Sequence, residues 1–206
     1  MIEKASIFIF ASPSGGGKTS LVKALVEKLD NIEVSVSHTT RAKRLGEVDE
    51  KHYYFVDDEE FDNLVKANTF IEHANVFGCH YGTNRLQIER RLSLGIDVVL
   101  DIDWQGARQL KEHFDNVVSI FILPPSVDEL KNRLQSRRQD DAEIITKRME
   151  KAQHELRHYD EFDYLVVNDD FDKALSEIMS IIESDRLRNR FQSIRYQTLL
   201  SNLLMS

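Results

Sequence analysis

Cysteine is almost missing from this chain: Cys79 is the single one in 206 residues, so no internal disulfide can form and nothing calls for an oxidising compartment. Proline is scarce as well, with three residues, and no Pro-rich linker, low-complexity tract or internal repeat divides the sequence. No apolar run approaches membrane-spanning length, and Met1 to Lys4 is too polar to open a secretion signal. The cytoplasm is therefore the expected compartment, and a membrane is not an expected partner. The seven histidines are scattered and read as structural or solvent-facing. Cys79 beside His80 offers two adjacent donors without further cysteines or a suitably spaced histidine, which is poor ground for a metal site. Positive charge is in deficit: 27 Lys and Arg face 35 Asp and Glu, for a net charge of −8 and a pI near 5.4. Nonspecific binding to nucleic acid or anionic lipid needs a positive field, so neither is expected. A phosphate ligand would need a local basic pocket.

What is present suffices for one substantial core, with 41% apolar and 30% charged residues. Four short runs rich in β-branched or aromatic residues read as buried strands: Ser6 to Ala11, Ile96 to Asp101, Val117 to Leu123 and Tyr164 to Asn168. Between them, spacings such as Leu21, Leu25, Leu29 and Leu86, Ile88, Leu92 predict helices. Strands alternating with helices imply an α/β fold with a parallel sheet covered on both faces. Two stretches break the alternation and read as inserts. Ser35 to Ala74 carries strand-like pieces at Tyr53 to Val56 and Phe70 to Glu72 around a helical Asp57 to Ala67. Ser126 to Tyr159 reads as charged helix, with Arg133, Arg137, Arg138, Lys147 and Arg148 among acidic residues; from composition alone this is a solvated helical pair.

Chemistry concentrates at Ser12 to Thr19. This Gly-rich segment follows a strand-like run and precedes a helical one, the setting a phosphate-binding loop requires. Glycines let successive backbone N–H groups turn around an anion, and the helix start adds its positive end. Lys18 reaches the outer phosphates, and the Thr19 hydroxyl can ligate Mg2+. Ser12 stands where the general pattern has its first Gly. A second constellation runs from Ser37 to Glu47. Arg41 and Arg44, with hydroxyls before them and Tyr53 and Tyr81 downstream, could grip a terminal phosphate through planar forks and phenolic donors. Arg41, Lys43 and Arg44 could equally be a solvated basic turn.

Four motifs occurring in order, Ser14-Gly15-x-Gly17-Lys18, Thr39-Thr40-Arg41-x-x-Arg44-x-Gly46-Glu47, Asp101-Ile102-Asp103-x-Gln105-Gly106 and Val167-Asn168-Asp169-Asp170, together resemble the guanylate kinases. The similarity runs from about Ala5 to Arg186, and Ile120 to Pro125 resembles bacterial members. The resemblance implies a three-layer phosphate-loop kinase fold, with core segments 1–34, 83–125 and 161–206, a small GMP-binding insert at 35–82 and a helical lid at 126–160. It implies transfer of the γ-phosphoryl group of MgATP to GMP, with dGMP a further acceptor. Its ATP-binding positions fall on Ser14, Gly15, Gly16, Gly17, Lys18, Thr19, Ser20 and Asn168. Its GMP-phosphate ligands fall on Arg41, Arg44, Tyr53 and Tyr81, and its guanine pocket on Ser37, Glu72, Thr83 and Asp103. A carboxylate such as Glu72 can accept from both N1–H and the exocyclic amine of guanine, whereas adenine presents an unprotonated N1. Lys18, Arg41, Arg137 and Arg148 are the implied catalytic cations, and Thr19 with Asp101, the latter through water, the implied holders of Mg2+.

Asp101 ends an apolar strand, and a strand-end Asp can instead cap the next helix. The sequence departs from the family at Lys43, where Pro is usual, at Cys79-His80, read as a loop, and at Arg138, where Gly is common. A noncatalytic guanylate-kinase-like scaffold and a kinase for another monophosphate are the alternatives; the intact Gly15, Gly17, Lys18 and Thr19 oppose the first. Leu187 to Ser206 predicts an amphipathic helix, which either packs on its own domain or forms a homo-oligomer contact.

Overall fold

The computed structural model describes residues 5–76, 78–135 and 142–205. Its centre is a five-stranded, wholly parallel sheet built from β1 (Ile7–Ala11), β2 (Ile32–Val34), β7 (Asp97–Asp101), β8 (Val117–Leu123) and β9 (Tyr164–Val167) in the order β2-β7-β1-β8-β9. All four strands read from the sequence are there, each within one residue at either end. The short edge strand β2 was not legible: of its three residues Ile32 alone is buried, leaving almost no apolar pattern to detect.

The period of two along β1 divides the core into two layers. Phe8 and Phe10 pack with Leu21 and Leu25 of α1 (Lys18–Lys28) and with Leu175 and Ile178 of α7 (Phe171–Arg186). Ile7 and Ile9 face the other way, onto Ile88 and Leu92 of α3 (Arg85–Ser93) and Leu110 of α4 (Trp104–His113). Each fully buried side chain of this size contributes about 1.5–3 kcal/mol, so β1 carries the following loop on a firmly held base. Leu86, expected on the apolar stripe of α3, is instead 72% exposed. Ile88 and Leu92 are four apart and share the buried face, and a residue two positions earlier points away from it.

A second sheet, order β4-β3-β6-β5, joins β3 (His38–Thr39), β4 (Tyr54–Phe55), β5 (Phe70–Val76) and β6 (Cys79–Asn84). It spans 38–84, slightly beyond the segment read as an insert. Cys79 and His80 open strand β6 rather than lying in a loop: Asn75 pairs with His80 and Val76 with Cys79 across the hairpin. The helix expected at Asp57 to Ala67 is α2 (Asp58–Lys66), whose first-turn Glu60 N–H donates to the Asp57 carboxylate at 2.8 Å. The charged stretch forms α5 (Val127–Gln135) and α6 (Ala142–Leu156), joined through Leu130, Leu134, Ala152 and Met149. The single helix expected at the C-terminus is two, α8 (Asn189–Arg195) and α9 (Gln197–Leu204), because Tyr196 leaves helical dihedrals at φ −106°, ψ 22°. Among the described residues, no helix is long and apolar enough to cross a membrane.

Candidate active site

The central strand ends where its two neighbours diverge in chain order, so the carboxyl edge between β1 and β7 opens into the crevice in which α/β sheets bind ligands. The loop 12–17 fills that edge. Gly15 and Gly17 adopt φ of 92° and 91°, left-handed conformations open to glycine, and the Gly16 N–H donates to Pro13 O at 2.8 Å. Gly17 is the N-cap of α1, and a Cβ there would collide with the Asn168 side-chain amide. That amide donates to Gly16 O at 2.9 Å, so Asn168, at the end of β9, stitches the loop from outside. Arg133 of α5 joins the same corner, donating to Asn168 O at 3.1 Å and to Glu129 at 2.7 Å.

Lys18 opens α1 and forms an ion pair with Asp101, the last residue of β7, which lies beside Phe10 in the sheet register. Thr19 and Ser20 follow in the exposed first turn. The Ser14 N–H donates to the Glu155 carboxylate of α6 at 3.0 Å. Burial pushes that carboxyl up, and the Lys18 charge and the Ser14 hydrogen bond oppose the shift.

Across the crevice, the second sheet assembles the basic and phenolic groups. Arg41 forks onto Glu47, Nη2 to Oε1 at 2.8 Å and Nη1 to Oε2 at 3.1 Å, and the Arg44 N–H donates to the same carboxylate at 2.7 Å. The pairing holds the Glu47 carboxyl below its ordinary range and raises Arg41 further. The Arg41 guanidinium lies 5.2 Å from the Tyr53 ring centre, and Tyr53 meets Tyr81 edge-on at 6.0 Å. Burial, with the Asp101 carboxylate next in weight, pushes the Tyr53 phenol up to about 12. Arg41, Tyr53 and Tyr81 are thus together and within electrostatic range of the phosphate loop's partner Asp101. The Arg44 and Lys43 side chains are exposed, so for these two the solvated-turn reading describes the conformation seen.

On the same second sheet, Glu72 of β5 is 3% exposed and stands opposite Thr83 of β6, whose hydroxyl donates to its Oε1. Burial first, and the Asp103 charge next among the raising effects, push this carboxyl up to about 7, against the Thr83 hydrogen bond. Asp103 is the N-cap of α4: its Oδ1 accepts from the Gln105 N–H at 3.0 Å and the Gly106 N–H at 3.1 Å. The capping role weighed for Asp101 therefore falls on Asp103, because β7 ends on Asp101 and Lys18 takes its carboxylate. Ser37 sits just before β3, half-buried, its carbonyl accepting from Tyr54 N–H at 2.9 Å.

A cleft of about 410 Å3 lies between Asn75, Val76, Asp103 and Gln105 on one side and Glu150, Lys151, His154 and Glu155 of α6 on the other. The root of α6 is fastened to α4: His158 stacks on Trp104 at 3.8 Å, and Arg108 makes a bidentate pair with Glu161 at 2.6 and 2.7 Å. Arg148 is half-buried on α6. Arg137 and Arg138 lie outside the described residues.

Glu47, Glu155 and Arg133 were not singled out for the site from the sequence. Glu47 closes the motif that holds both arginines and could have been found as their counterion. Glu155 is one acid among many in a charged helix, with no spacing that ties it to residues 141 positions away.

The model of the family described as "Guanylate kinase" matches residues 4–185. A guanylate kinase from Legionella pneumophila (strain Lens) is 56% identical over 201 residues, 98% of this chain and 96% of that one. One from Vibrio parahaemolyticus is 51% identical over 203 residues, 98% of each. The crystal structure of guanylate kinase from Anaplasma phagocytophilum superposes with a TM-score of 0.76 at 37% identity, covering 92% of this chain and 90% of that one. A phosphate loop facing an arginine–tyrosine cluster and a buried carboxylate, carried on a sheet of this order and matched along nearly its whole length, places the chain in the guanylate kinase family.

Proposed function

We propose that this chain catalyses transfer of the γ-phosphoryl group of ATP to GMP, and to dGMP, giving ADP and GDP or dGDP. The observation that carries the reading is a Gly-rich loop whose Lys18 pairs with Asp101, an Arg41–Tyr53–Tyr81 cluster within electrostatic reach of that Asp101, and the buried Glu72 carboxylate on the cluster's sheet. The loop 14–20 and Asn168 would receive ATP, with Lys18 leaving Asp101 for the outer phosphates. Arg41, Tyr53 and Tyr81, with Arg44 swinging in from solvent, would hold the phosphate of GMP. An oxygen of that phosphate forms the new bond to the γ-phosphorus as the bond to the ADP oxygen breaks. The acceptor oxygen is already ionised, so no general base is required. Catalysis is positioning and charge neutralisation by Lys18, Arg41 and the lid residues Arg148 and Arg137. Closure of α5 and α6 over the nucleotides would exclude water, which otherwise accepts the phosphoryl group.

The donors fit Mg2+ rather than a metal with an all-protein cage. Among the described residues no group of three or more His, Cys, Asp or Glu could hold a metal ion, and Mg2+ is ordinarily held by substrate phosphates, water and one or two carboxylates. Thr19, with Asp101 through water, would hold it, and it would neutralise charge between the outer ATP phosphates. The reading also places the enzyme in the cytoplasm. Exposed Leu199, Leu203 and Leu204 on α9 support self-association through the C-terminal helices, which sedimentation of the full chain against a variant lacking α9 would test.

Guanine would be read by Glu72, with Ser37, Thr83 and Asp103 lining the pocket. Glu72→Gln keeps the shape but turns one acceptor into a donor. Losing a charge-assisted hydrogen bond and leaving a guanine N–H unpaired lowers kcat/KM for GMP by about tenfold to several hundredfold. The trace activity on AMP should not fall in parallel. Equal losses on GMP and AMP, with folding confirmed by circular dichroism, would make Glu72 structural and send the search for the guanine reader elsewhere.

A further inference from the structure

Gly106 occupies the third position of α4 and is buried, although glycine is among the weakest helix formers. No backbone requirement explains it, since Gly106 is not among the residues with positive φ. The reason lies in what surrounds it. A Cβ built on Gly106 would stand 2.6 Å from Glu72 Oε2, 3.1 Å from the Glu72 carboxyl carbon and 3.2 Å from Ile102 Cδ1. The first is below 3.0 Å, a separation that Cβ atoms essentially never show.

Neither partner in that contact is free to retreat at no cost. Glu72 Oε1 accepts from the Thr83 hydroxyl, so swinging the carboxylate away from α4 breaks that bond. The first turn of α4 is pinned in turn, because the Gly106 N–H donates to Asp103 Oδ1 at 3.1 Å. The carboxylate is the end of a flexible side chain and the helix backbone is not, so an added methyl group displaces the carboxylate first.

We propose that Gly106 is a positioning residue for guanine selection: its missing side chain lets the Glu72 carboxylate seat against the first turn of α4, at the depth where it faces the base. The proposal rests on the reading of Glu72 as the guanine acceptor. It assigns the base-reading geometry to two elements, with β5 supplying the carboxylate and α4 supplying the space. An effect on GMP alone follows, since the phosphate loop and its stitch to Asn168 lie on other elements.

Three variants test it: Gly106→Ala, Glu72→Asp and the double. Gly106→Ala should raise KM for GMP by about tenfold, leave KM for ATP within about twofold, and lower Tm by no more than a few degrees, since alanine's gain in the helix partly offsets the clash. Glu72→Asp withdraws the carboxylate from α4 by one methylene, so the double variant should lose less than the product of the two single losses. A KM for GMP unchanged in Gly106→Ala, a parallel rise in both KM values, or strictly multiplicative losses would each overturn the proposal. If Gly106→Ala fails to fold, the double decides: a folded double supports the clash with Glu72, and an unfolded one overturns it. Glu72→Gln run alongside separates the two readings. If it spares guanine selectivity, the assignment of Glu72 fails; if it destroys selectivity while Gly106→Ala is silent, the positioning role alone fails.

Discussion

The two proposed phosphate sites are built from different materials. On the ATP side the donors are mostly main-chain N–H groups, turned inward by Gly15 and Gly17 and stitched by Asn168. On the GMP side they are side chains, and those side chains already satisfy one another: Arg41 is forked by Glu47, and Glu72 is held by Thr83. A backbone cradle is set once the chain folds, and its partial charges need no counterion. A cluster of full charges must be neutralised internally, so its counterion sets the geometry in which it meets a ligand.

The contrast can be broken most directly at Lys18, the full charge that the Gly-rich loop itself leads into. Lys18→Met should lower kcat by roughly 10²–10³-fold or more, as loss of a transition-state donor does elsewhere, with the fold intact because no apolar core residue is touched. Near-normal turnover in the folded variant would remove Lys18 from the mechanism. Arg148→Ala should lower kcat, with GMP binding in the absence of ATP unchanged within about twofold; an effect confined to GMP binding would move Arg148 out of the lid's role.

On the GMP side, the effect of pH sharpens the comparison. Glu72 carries a carboxyl raised to about 7, so lowering the pH from 8 to 6 takes it from mostly ionised to mostly protonated. The form that would accept two guanine N–H groups is the ionised one. KM for GMP should therefore rise about tenfold over that range beyond the change seen in Glu72→Gln, which has nothing to titrate there. Stability runs the opposite way. The folded protein holds this proton more tightly than the unfolded chain, so its contribution is full below about pH 4.5 and is lost as pH rises through 7. Thermal unfolding of the parent relative to Glu72→Gln across pH 4 to 8 checks this, and parallel curves would contradict it.

Glu47→Gln tests whether waiting charges need their counterion. With one acceptor oxygen gone the fork on Arg41 is lost, and KM for GMP should rise about fivefold while KM for ATP stays put; a fall would mean that Glu47 competes with the ligand. The smallest effect is expected at Glu155, where a carboxylate sits on the Ser14 N–H near Lys18. Glu155→Gln removes the competing charge and should lower KM for ATP by roughly threefold; a rise would show that the carboxylate supports the loop instead.

The same difference in materials governs what was legible in the sequence. The phosphate loop is one contiguous segment whose glycines, lysine and threonine each have a mechanical reason, so it could be read with its strand and helix in place. The guanine side draws on segments around residues 41, 72, 83 and 103, and resemblance to a family was needed to bring them together. Strands long enough to show apolar runs were found, whereas β2, β3 and β6 were not, being three and two residues long in the first two cases and largely polar in the third. The counterions were hidden for another reason. Glu47 and Glu155 are ordinary surface-type residues by composition, and only folding sets them against Arg41 and Ser14. Gly106 appeared in a quoted motif without a purpose, because the atom that explains it belongs to a residue 34 positions earlier.

The aromatic contact at the root of α6 has one more consequence. Trp104 is the chain's sole tryptophan, and it holds His158 against its ring at 3.8 Å and the Arg108 guanidinium at 4.5 Å. It also opens α4, directly after Asp103. Indole emission responds to a stacked imidazole, so the enzyme carries its own optical probe where α4 meets the root of α6. Titrating GMP, ATP or both while recording that emission would follow this contact in the unlabelled protein, with no second tryptophan to subtract.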